Sequence, residues 1–288
     1  MSFVLLNGIT SSELQGLSAK ELLLRYPKGA FTTARTLHQT KILCLNEHID
    51  RLKHSSMAVF DSAIPDIAEF EKLLYTTFRS AMTVDAVHYP ELSCSELRIT
   101  IIVTMIEHSL SFISHTATLP PVPTVPVSVK LQPYQRVAAE VKSIQWVHDR
   151  QRMEALINGN IHEVLLSESD YTNEVCILEG LSSNFFALYE SNGSFVLVTC
   201  PVGLVLGGTI RKLVLEAAEL VGLAVVEECP LLSKICSCFI TSTSRLILPI
   251  AEMELKDGRS LRFDVVPVLC QLREALLKIL DSQSCSPF

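Results

Sequence analysis

A glycine-bearing loop that opens into a helix is the first segment suited to chemistry. Gly207 and Gly208 precede Thr209, where an apolar stripe of helical spacing begins. The first N–H groups of a helix lack intrahelical partners and lie at the positive end of its dipole, so such a start can bind an anion. The spacing is neither Gly-x-Gly-x-x-Gly nor that of a P-loop, which argues against a nucleotide fold. An ordinary loop-to-helix turn is the alternative.

Two further groups could bind an anion. The residues Thr241 to Ser244 follow an apolar strand that begins at Cys238, and they offer hydroxyl and N–H donors to a phosphate or carboxylate. Arg51 lies one turn after His48 on a predicted helix, and a guanidinium can hold a phosphate through two donors. Each has a structural alternative, namely a solvated turn and a solvated arginine.

Taken together, five segments resemble the signatures of the class IV aminotransferases. They occur in the order of that family, and the resemblance covers about residues 25 to 280. The combination is far more specific than any single segment. The segments are Gly29-Ala-Phe-Thr-Thr-Ala-Arg35, Glu47-His-Ile-Asp-Arg-Leu52, Glu179-Gly-Leu-Ser-Ser-Asn-Phe-Phe186, Gly208-Thr-Ile-Arg211, and Phe239-Ile-Thr-Ser-Thr-Ser-Arg245 continuing to Pro249.

The resemblance implies an enzyme that uses pyridoxal 5′-phosphate to transfer an amino group between an amino acid and a 2-oxo acid. Lys142 would form the internal Schiff base and, once released, carry a proton between Cα and C4′. Glu179 would keep the pyridine nitrogen protonated, so that the ring accepts electrons. The family pattern assigns the phosphate to Arg51, Thr209, Ile210 and Thr243. It also suggests substrate contacts for Phe31, Arg35 and Ser244.

Two other functions stay open on the sequence. A lyase similar to aminodeoxychorismate lyase would use the same Schiff base and proton carrier, so the motifs do not separate it from an aminotransferase. A cofactor-binding protein without catalysis is a hypothesis of another class. It is suggested by Trp146 and Val147, which follow the lysine where many family members have Tyr. Retention of Lys142 and Glu179 argues against it.

The clearest boundary in the chain is the segment 118–126, which contains four prolines. Prolines at this density exclude a helix or an interior strand, so the segment is predicted to be an extended linker. It separates residues 1–117 from residues 127–288. Together with the resemblance, this pattern indicates an α+β, two-domain enzyme of fold type IV, with a small N-terminal α/β domain and a larger, strand-rich pseudo-barrel domain.

The elements that position the candidate residues are predicted from periodicity and turn residues. Ala30–Leu37 and Lys41–Leu45 are expected to be strands joined by a tight turn, and Asn46 is expected to cap the helix that carries Arg51. One helix is expected after Lys142, because Trp146, Met153, Leu156 and Ile157 share a face. Other expected strands are Leu97–Ile106, Val127–Leu131, Glu163–Leu166, Val175–Leu178, Phe185–Tyr189, Phe195–Thr199, Cys238–Thr241 and Leu246–Ile250, and Asp264–Leu280 is an expected helix.

Composition argues against several other classes of protein. A net charge of −7 without a cluster of Lys and Arg argues against a nucleic-acid partner. No apolar run approaches the roughly 20 residues that span a bilayer, and the N-terminal segment has no leader pattern. The nine cysteines form no Cys-x-x-Cys pair, which argues against a zinc site and for reduced thiols. We expect a cytoplasmic protein without metal or membrane contact and, from the family, a homodimer.

Overall fold

The computed structural model describes residues 2–64, 66–83, 88–168 and 174–288, which form a mixed α+β fold as predicted. The strands are β1 Ser2–Leu6, β2 Ile9–Thr10, β3 Gly29–Leu37, β4 Lys41–Leu43, β5 Leu97–Ile106, β6 Ser109–Thr118, β7 Val127–Pro133, β8 Ile161–Ser167, β9 Ile177–Gly180, β10 Asn184–Ser191, β11 Ser194–Thr199, β12 Ala224–Glu227, β13 Ser237–Ser242, β14 Leu246–Glu254, β15 Ser260–Arg262 and β16 Ser284–Cys285. The helices are α1 Ala19–Arg25, α2 Leu45–Phe60, α3 Ile67–Met82, α4 Pro90–Ser93, α5 Ile144–Asp149, α6 Gln151–Glu154, α7 Thr209–Leu220 and α8 Pro267–Ile279.

The described residues divide into two compact units that interleave along the chain. The first unit takes its residues from 1–121, 141–149 and 280–288, and the second takes its residues from 122–140 and 150–279. The short segment with Lys142 therefore belongs to the first unit, although the chain on both sides of it belongs to the second.

The first unit is built on an antiparallel sheet in the order β16-β4-β3-β5-β6-β1-β2. Side chains alternate between the two faces of a strand. One face of β3 and β5, including Ala34 and Ile101, packs against α2 and α3 in the larger core of this unit. The opposite face, including Phe31 and Ile102, packs with α1 and α5.

The second unit contains a closed ring of six strands, β10-β13-β14-β7-β8-β9, which the pairing of Glu179 with Asn184 completes. Alternate residues of all six strands, such as Val129, Phe185 and Ile240, form one apolar core. Strands β11 and β12 extend the sheet beyond β10, and helices α7 and α8 pack together. The predicted barrel-like, strand-rich part is thus observed.

Two predicted elements near the candidate residues are wrong in detail. Helix α2 begins at Leu45, so its N-cap is Cys44, whose φ of 52° lies in the left-handed region; Asn46 lies inside the helix and accepts a hydrogen bond from the Tyr75 hydroxyl. The single helix predicted after Lys142 is two short helices, α5 and α6. Arg150, which separates them, bonds its guanidinium to Glu154 and to the carbonyl oxygen of Leu181 in the second unit, where the chain changes unit.

Candidate active site

Lys142 is held by its backbone against the first unit. Its N–H donates to Ser55 Oγ on α2 at 3.0 Å, and its carbonyl oxygen accepts the N–H of Phe31 on β3 at 3.0 Å. The next residue, Ser143, forms an antiparallel bridge with Ala30. The lysine backbone is therefore fixed by a helix and by the first part of a central strand, which sequence periodicity did not indicate.

The side chain of Lys142 reaches back over the same strand. Its Nζ lies 4.7 Å from the centre of the Phe31 ring, and Phe31 is buried. The close approach requires a glycine at the start of β3, because a Cβ on Gly29 would lie 2.6 Å from both Ile144 Cδ1 and the carbonyl oxygen of Val103. Phe31, proposed from the resemblance, does lie beside the lysine.

Arg51, His48 and Thr32 form one hydrogen-bonded group in the first unit. Arg51 Nη2 lies 2.7 Å from Thr32 Oγ1 and 3.3 Å from His48 Nδ1, and Thr32 Oγ1 lies 2.8 Å from His48 Nδ1. An arginine only donates, so Nδ1 of His48 accepts and its proton is on Nε2. Burial and the charges of Arg51 and Lys142 lower the pKa of His48 well below its ordinary value, which keeps the ring neutral.

Arg35 stands on the same face of the sheet as Phe31. It pairs across the strands with Arg98 on β5, and their neighbours Thr33 and Thr100 share a hydrogen bond between hydroxyls. Burial lowers the pKa of Arg35, and the nearby Glu96 opposes that effect. The two guanidiniums and two hydroxyls form a polar stripe beside Phe31. Arg98 in this stripe was not predicted from the sequence.

In the second unit, Glu179 is a buried carboxylate. Its Oε2 accepts the N–H of Leu206 at 3.1 Å, and its Oε1 lies 3.5 Å from Arg136 Nη1. Both side chains of this ion pair are 5% exposed. Burial lowers the pKa of Arg136 while Glu179 acts to raise it. Arg136 was missed because it lies in an irregular segment far from Glu179 in the sequence.

The start of α7 has the geometry expected of an anion site. Gly208 is its N-cap, no side chain of the described residues caps it, and Thr209 and Ile210 are buried in its first turn. A Cβ on Gly208 would lie 2.0 Å from Asn184 Oδ1, and Asn184 Nδ2 donates to the carbonyl oxygen of Leu206 at 2.7 Å. A larger residue at this point must therefore displace the Asn184 side chain.

Arg211, the last residue of the same motif, has a structural role. Its Nη2 donates to the carbonyl oxygen of Cys200 at 2.9 Å and to Glu227 at 2.6 Å, and its side chain is buried. The motif thus provides backbone N–H groups at its start and a fixed arginine at its end.

The segment Thr241 to Ser244 comprises the last two residues of β13 and the first two of the turn that follows. Thr243 and Ser244 are half-buried, and the turn is closed by a hydrogen bond from the N–H of Arg245 to the carbonyl oxygen of Ser242. Thr241 pairs with Asn184 across the strands and is 1% exposed, yet its Oγ1 has no hydrogen-bond partner among the residues that the structure describes. An orphaned buried hydroxyl at this turn is suited to a ligand with acceptor oxygens.

The structure thus gathers the predicted residues into two sets, one in each unit. Lys142, Arg51, Phe31 and Arg35 belong to the first unit, and Glu179, Thr209, Ile210, Thr243 and Ser244 belong to the second. Across the described ranges there is no group of three or more His, Cys, Asp or Glu residues that could hold a metal ion. Of the helices in those ranges, none is long and apolar enough to cross a membrane.

Known proteins resemble this chain in sequence and in fold. The sequence matches the family described as amino-transferase class IV over residues 29–253. A search of curated protein sequences found no significant match. Similar solved structures include a branched-chain aminotransferase from Thermoproteus uzoniensis with norvaline (19% identity, all of both chains, TM-score 0.73), a PLP-bound hypothetical aminotransferase from Mycobacterium tuberculosis (17% identity, 97% of this chain and 99% of that one, TM-score 0.70), and the branched-chain amino acid aminotransferase of Escherichia coli (16% identity, 97% and 94%, TM-score 0.68). The likeness confirms the predicted fold.

Proposed function

The chain belongs to the class IV aminotransferase family, and from that premise we propose which of its residues carry out the reaction. It is a pyridoxal-phosphate-dependent enzyme that transfers an amino group between an amino acid and a 2-oxo acid. The observation that carries the assignment is the anchored Lys142, whose amine lies over Phe31 in the same unit as the Arg51 group. The proposed cofactor residues are Lys142, Arg51, Glu179, Thr209, Ile210 and Thr243.

The described residues fit such a cofactor chemically. The phosphate is an anion, and it suits Arg51, the uncapped start of α7 and the orphaned hydroxyl of Thr241. A pyridine nitrogen that must stay protonated suits the buried carboxylate of Glu179. When bound, the group supplies an aldehyde carbon that takes up the amino group and a ring that withdraws electrons from the substrate.

Each residue then has one task. The Lys142 amine would hold the cofactor and, when displaced, would carry a proton between Cα and C4′. Glu179 holds the proton on the ring nitrogen, and Arg136 with the Leu206 N–H holds Glu179 in place. His48, being neutral, orients Arg51 through the Thr32 hydroxyl without adding a further positive charge.

The substrate side is proposed from the stripe beside Phe31. Phe31 would form an apolar wall of the pocket, and the guanidiniums of Arg35 and Arg98 would attract a substrate carboxylate. Ser244 on the second unit is proposed as a further donor. Amino acids and their 2-oxo acids, which all carry a carboxylate, are the substrates that this stripe suits.

The oligomeric state, the cellular location and the domain boundaries are also proposed. Family expectation supports a homodimer, which a size measurement of the holoenzyme would test. The nine cysteines, all present as thiols in the structure, support a reducing compartment and therefore a cytoplasmic location. The boundaries predicted from the sequence, 1–117 and 127–288 with a linker at 118–126, stay a prediction for limited proteolysis to test.

The decisive experiment locates the cofactor. The purified chain with pyridoxal 5′-phosphate should be yellow, and borohydride reduction followed by peptide mapping should find the label on Lys142. Lys142→Ala should lose both the covalent label and turnover. Lys53→Ala is the matched control, because Lys53 lies on α2 but pairs with Asp50 and Glu71. A label on another lysine, or turnover by the Lys142→Ala variant, would contradict the assignment.

The same preparation decides the type of reaction. A screen of amino donors against 2-oxo acids should give turnover that depends on both partners. Release of pyruvate from aminodeoxychorismate without an amino acceptor would instead identify a lyase.

A further inference from the structure

A second buried carboxylate in the second unit, Glu163 on β8, lies outside the proposed cofactor set. It is 0% exposed. Its Oε2 accepts from Arg245 Nη1 at 2.7 Å, from Ser182 Oγ at 2.8 Å and from Ser183 Oγ at 3.1 Å, and its Oε1 accepts the N–H of Val164 at 3.1 Å. A buried carboxylate is costly unless donors satisfy it, and here four donors do so.

The three side-chain donors come from two different turns. Ser182 and Ser183 form the turn that leads from Glu179 on β9 to the start of β10. Arg245 closes the turn that contains Thr243, between β13 and β14. One carboxylate is therefore bonded to the turn next to the proposed ring-nitrogen residue and to the turn of a proposed phosphate residue.

The first of these turns is packed directly on Glu163. A Cβ on Gly180 would lie 2.2 Å from Ser183 Oγ and 3.1 Å from Glu163 Cγ, so this turn fits only with glycine at its start. The N–H of Gly180 also donates to the carbonyl oxygen of Ser183 at 2.8 Å. A displacement of the carboxylate would thus be transmitted to the residue that follows Glu179.

We propose that Glu163 is a positioning residue that fixes the separation between Glu179 and the Thr243 turn. One cofactor could then bind with its ring nitrogen at Glu179 and its phosphate at the Thr243 turn. This inference rests on the proposed function. Glu163 touches neither cofactor nor substrate; it acts through Arg245 on one side and through Ser182 and Ser183 on the other.

The test compares the binding of pyridoxal 5′-phosphate and of pyridoxal to the full-length apo chain. Glu163→Gln keeps the shape but presents an amide N–H₂ to groups that themselves donate. It should weaken pyridoxal 5′-phosphate binding by about 10- to 100-fold, the range seen when outer-shell partners of a binding site are removed. It should also shift the visible absorption of the bound cofactor.

Each of the two turns bonded to Glu163 is tested by its own variant. Arg245→Gln should reduce mainly the advantage of pyridoxal 5′-phosphate over pyridoxal, because it loosens the phosphate turn. The double variant Ser182→Ala with Ser183→Ala should weaken both ligands alike and shift the spectrum, because it loosens the turn after Glu179. Glu254→Gln is the control, since it removes a carboxylate paired with Lys130 in the same strand ring but bonded to neither turn.

The outcomes separate the two hypotheses. If the wild-type chain binds pyridoxal 5′-phosphate and Glu163→Gln binds it no more weakly than Glu254→Gln, the inference is overturned and the proposed function stands. If the wild-type chain does not bind the cofactor, both fall. Should Glu163→Gln fail to fold, Arg245→Gln and the double serine variant decide. If both change the ratio of pyridoxal 5′-phosphate affinity to pyridoxal affinity equally, the inference is overturned.

Discussion

Buried charge is compensated differently in the two units of the chain. In the first unit, the cations Lys142 and Arg51 lie around His48, whose pKa is lowered by burial and by those charges. In the second unit, the carboxylates of Glu179 and Glu163 are buried, and each is paired with an arginine. A neutral imidazole adds an acceptor without a charge, whereas a buried carboxylate needs cations and donors around it. The charged side chains of the first unit are thus arranged to receive an anion, whereas those of the second unit hold its own carboxylates in place.

The largest effect should follow from breaking the charge pair of the second unit. Arg136→Met leaves Glu179 as a buried carboxylate without its cation, which costs about 3–5 kcal/mol of unfolding free energy. Urea unfolding of the apo chain measures this. Arg259→Met, at an exposed pair with Asp257, should cost much less, because water screens that pair. Equal costs for the two variants would show that the burial of the Arg136 pair does not matter.

Lowering the pH should destabilise the protein through a buried histidine of the first unit. Burial lowers the pKa of His115 from 6.5 to about 4, so below pH 6.5 the unfolded chain takes up the proton first. The stability from this histidine is complete above pH 6.5 and falls by about 3 kcal/mol as the pH drops to about 4. Urea midpoints at several pH values should fall more steeply for the wild type than for His115→Gln. Parallel curves would contradict the shift.

A smaller loss of stability is expected from a substitution at the start of α7, where backbone N–H groups and not charged side chains form the anion site. Gly208→Ala must displace Asn184 Oδ1 and break the bond from Asn184 to Leu206, at a cost of about 1–2 kcal/mol. Gly207→Ala is the matched control, because its Cβ would meet nothing closer than Val202 Cγ1 at 3.6 Å. Cofactor affinity and thermal unfolding should both separate the two variants. If they behave alike, the fit at Gly208 is looser than the distances indicate.

The smallest effect concerns the hydroxyl that orients the first unit's group. Thr32→Val removes the acceptor of Arg51 and the donor to His48, which should cost about 1 kcal/mol and weaken phosphate binding. Thr32→Ser keeps the hydroxyl and should restore most of both. A Ser variant as weak as the Val variant would assign the loss to packing of the methyl group. Affinity for inorganic phosphate and for pyridoxal 5′-phosphate provides the measurement.

Elements with a strong local pattern were predicted well. Strand β5 has the predicted bounds, and the tight turn predicted between β3 and β4 is present, with positive φ at His38 and Gln39. Strands β1 and β6 and helix α1 were not predicted. A capping box at Ser18 and Glu21 could have indicated α1, since both of its hydrogen bonds are formed.

Only the site residues that lie in the family motifs were predicted from the sequence. Lys142, Arg51, Glu179 and Arg35 follow from the resemblance. Arg136, which pairs with Glu179, and Arg98, which lies opposite Arg35, do not. Arg136 lies in a segment without regular structure, and Arg98 meets Arg35 only because β3 and β5 are adjacent strands. Such contacts depend on strand order, which local periodicity does not encode.

The interleaving of the two units constrains how the chain is made. Residues 141–149 and 280–288 complete the first unit, and β16 pairs with β4 as the outermost strand of its sheet. On the ribosome, residues up to 121 emerge before either piece, so the nascent chain carries an unfinished sheet with β4 as an open edge. The lysine reaches its strand only after residues 141–149 have emerged, so the first unit is completed late in synthesis.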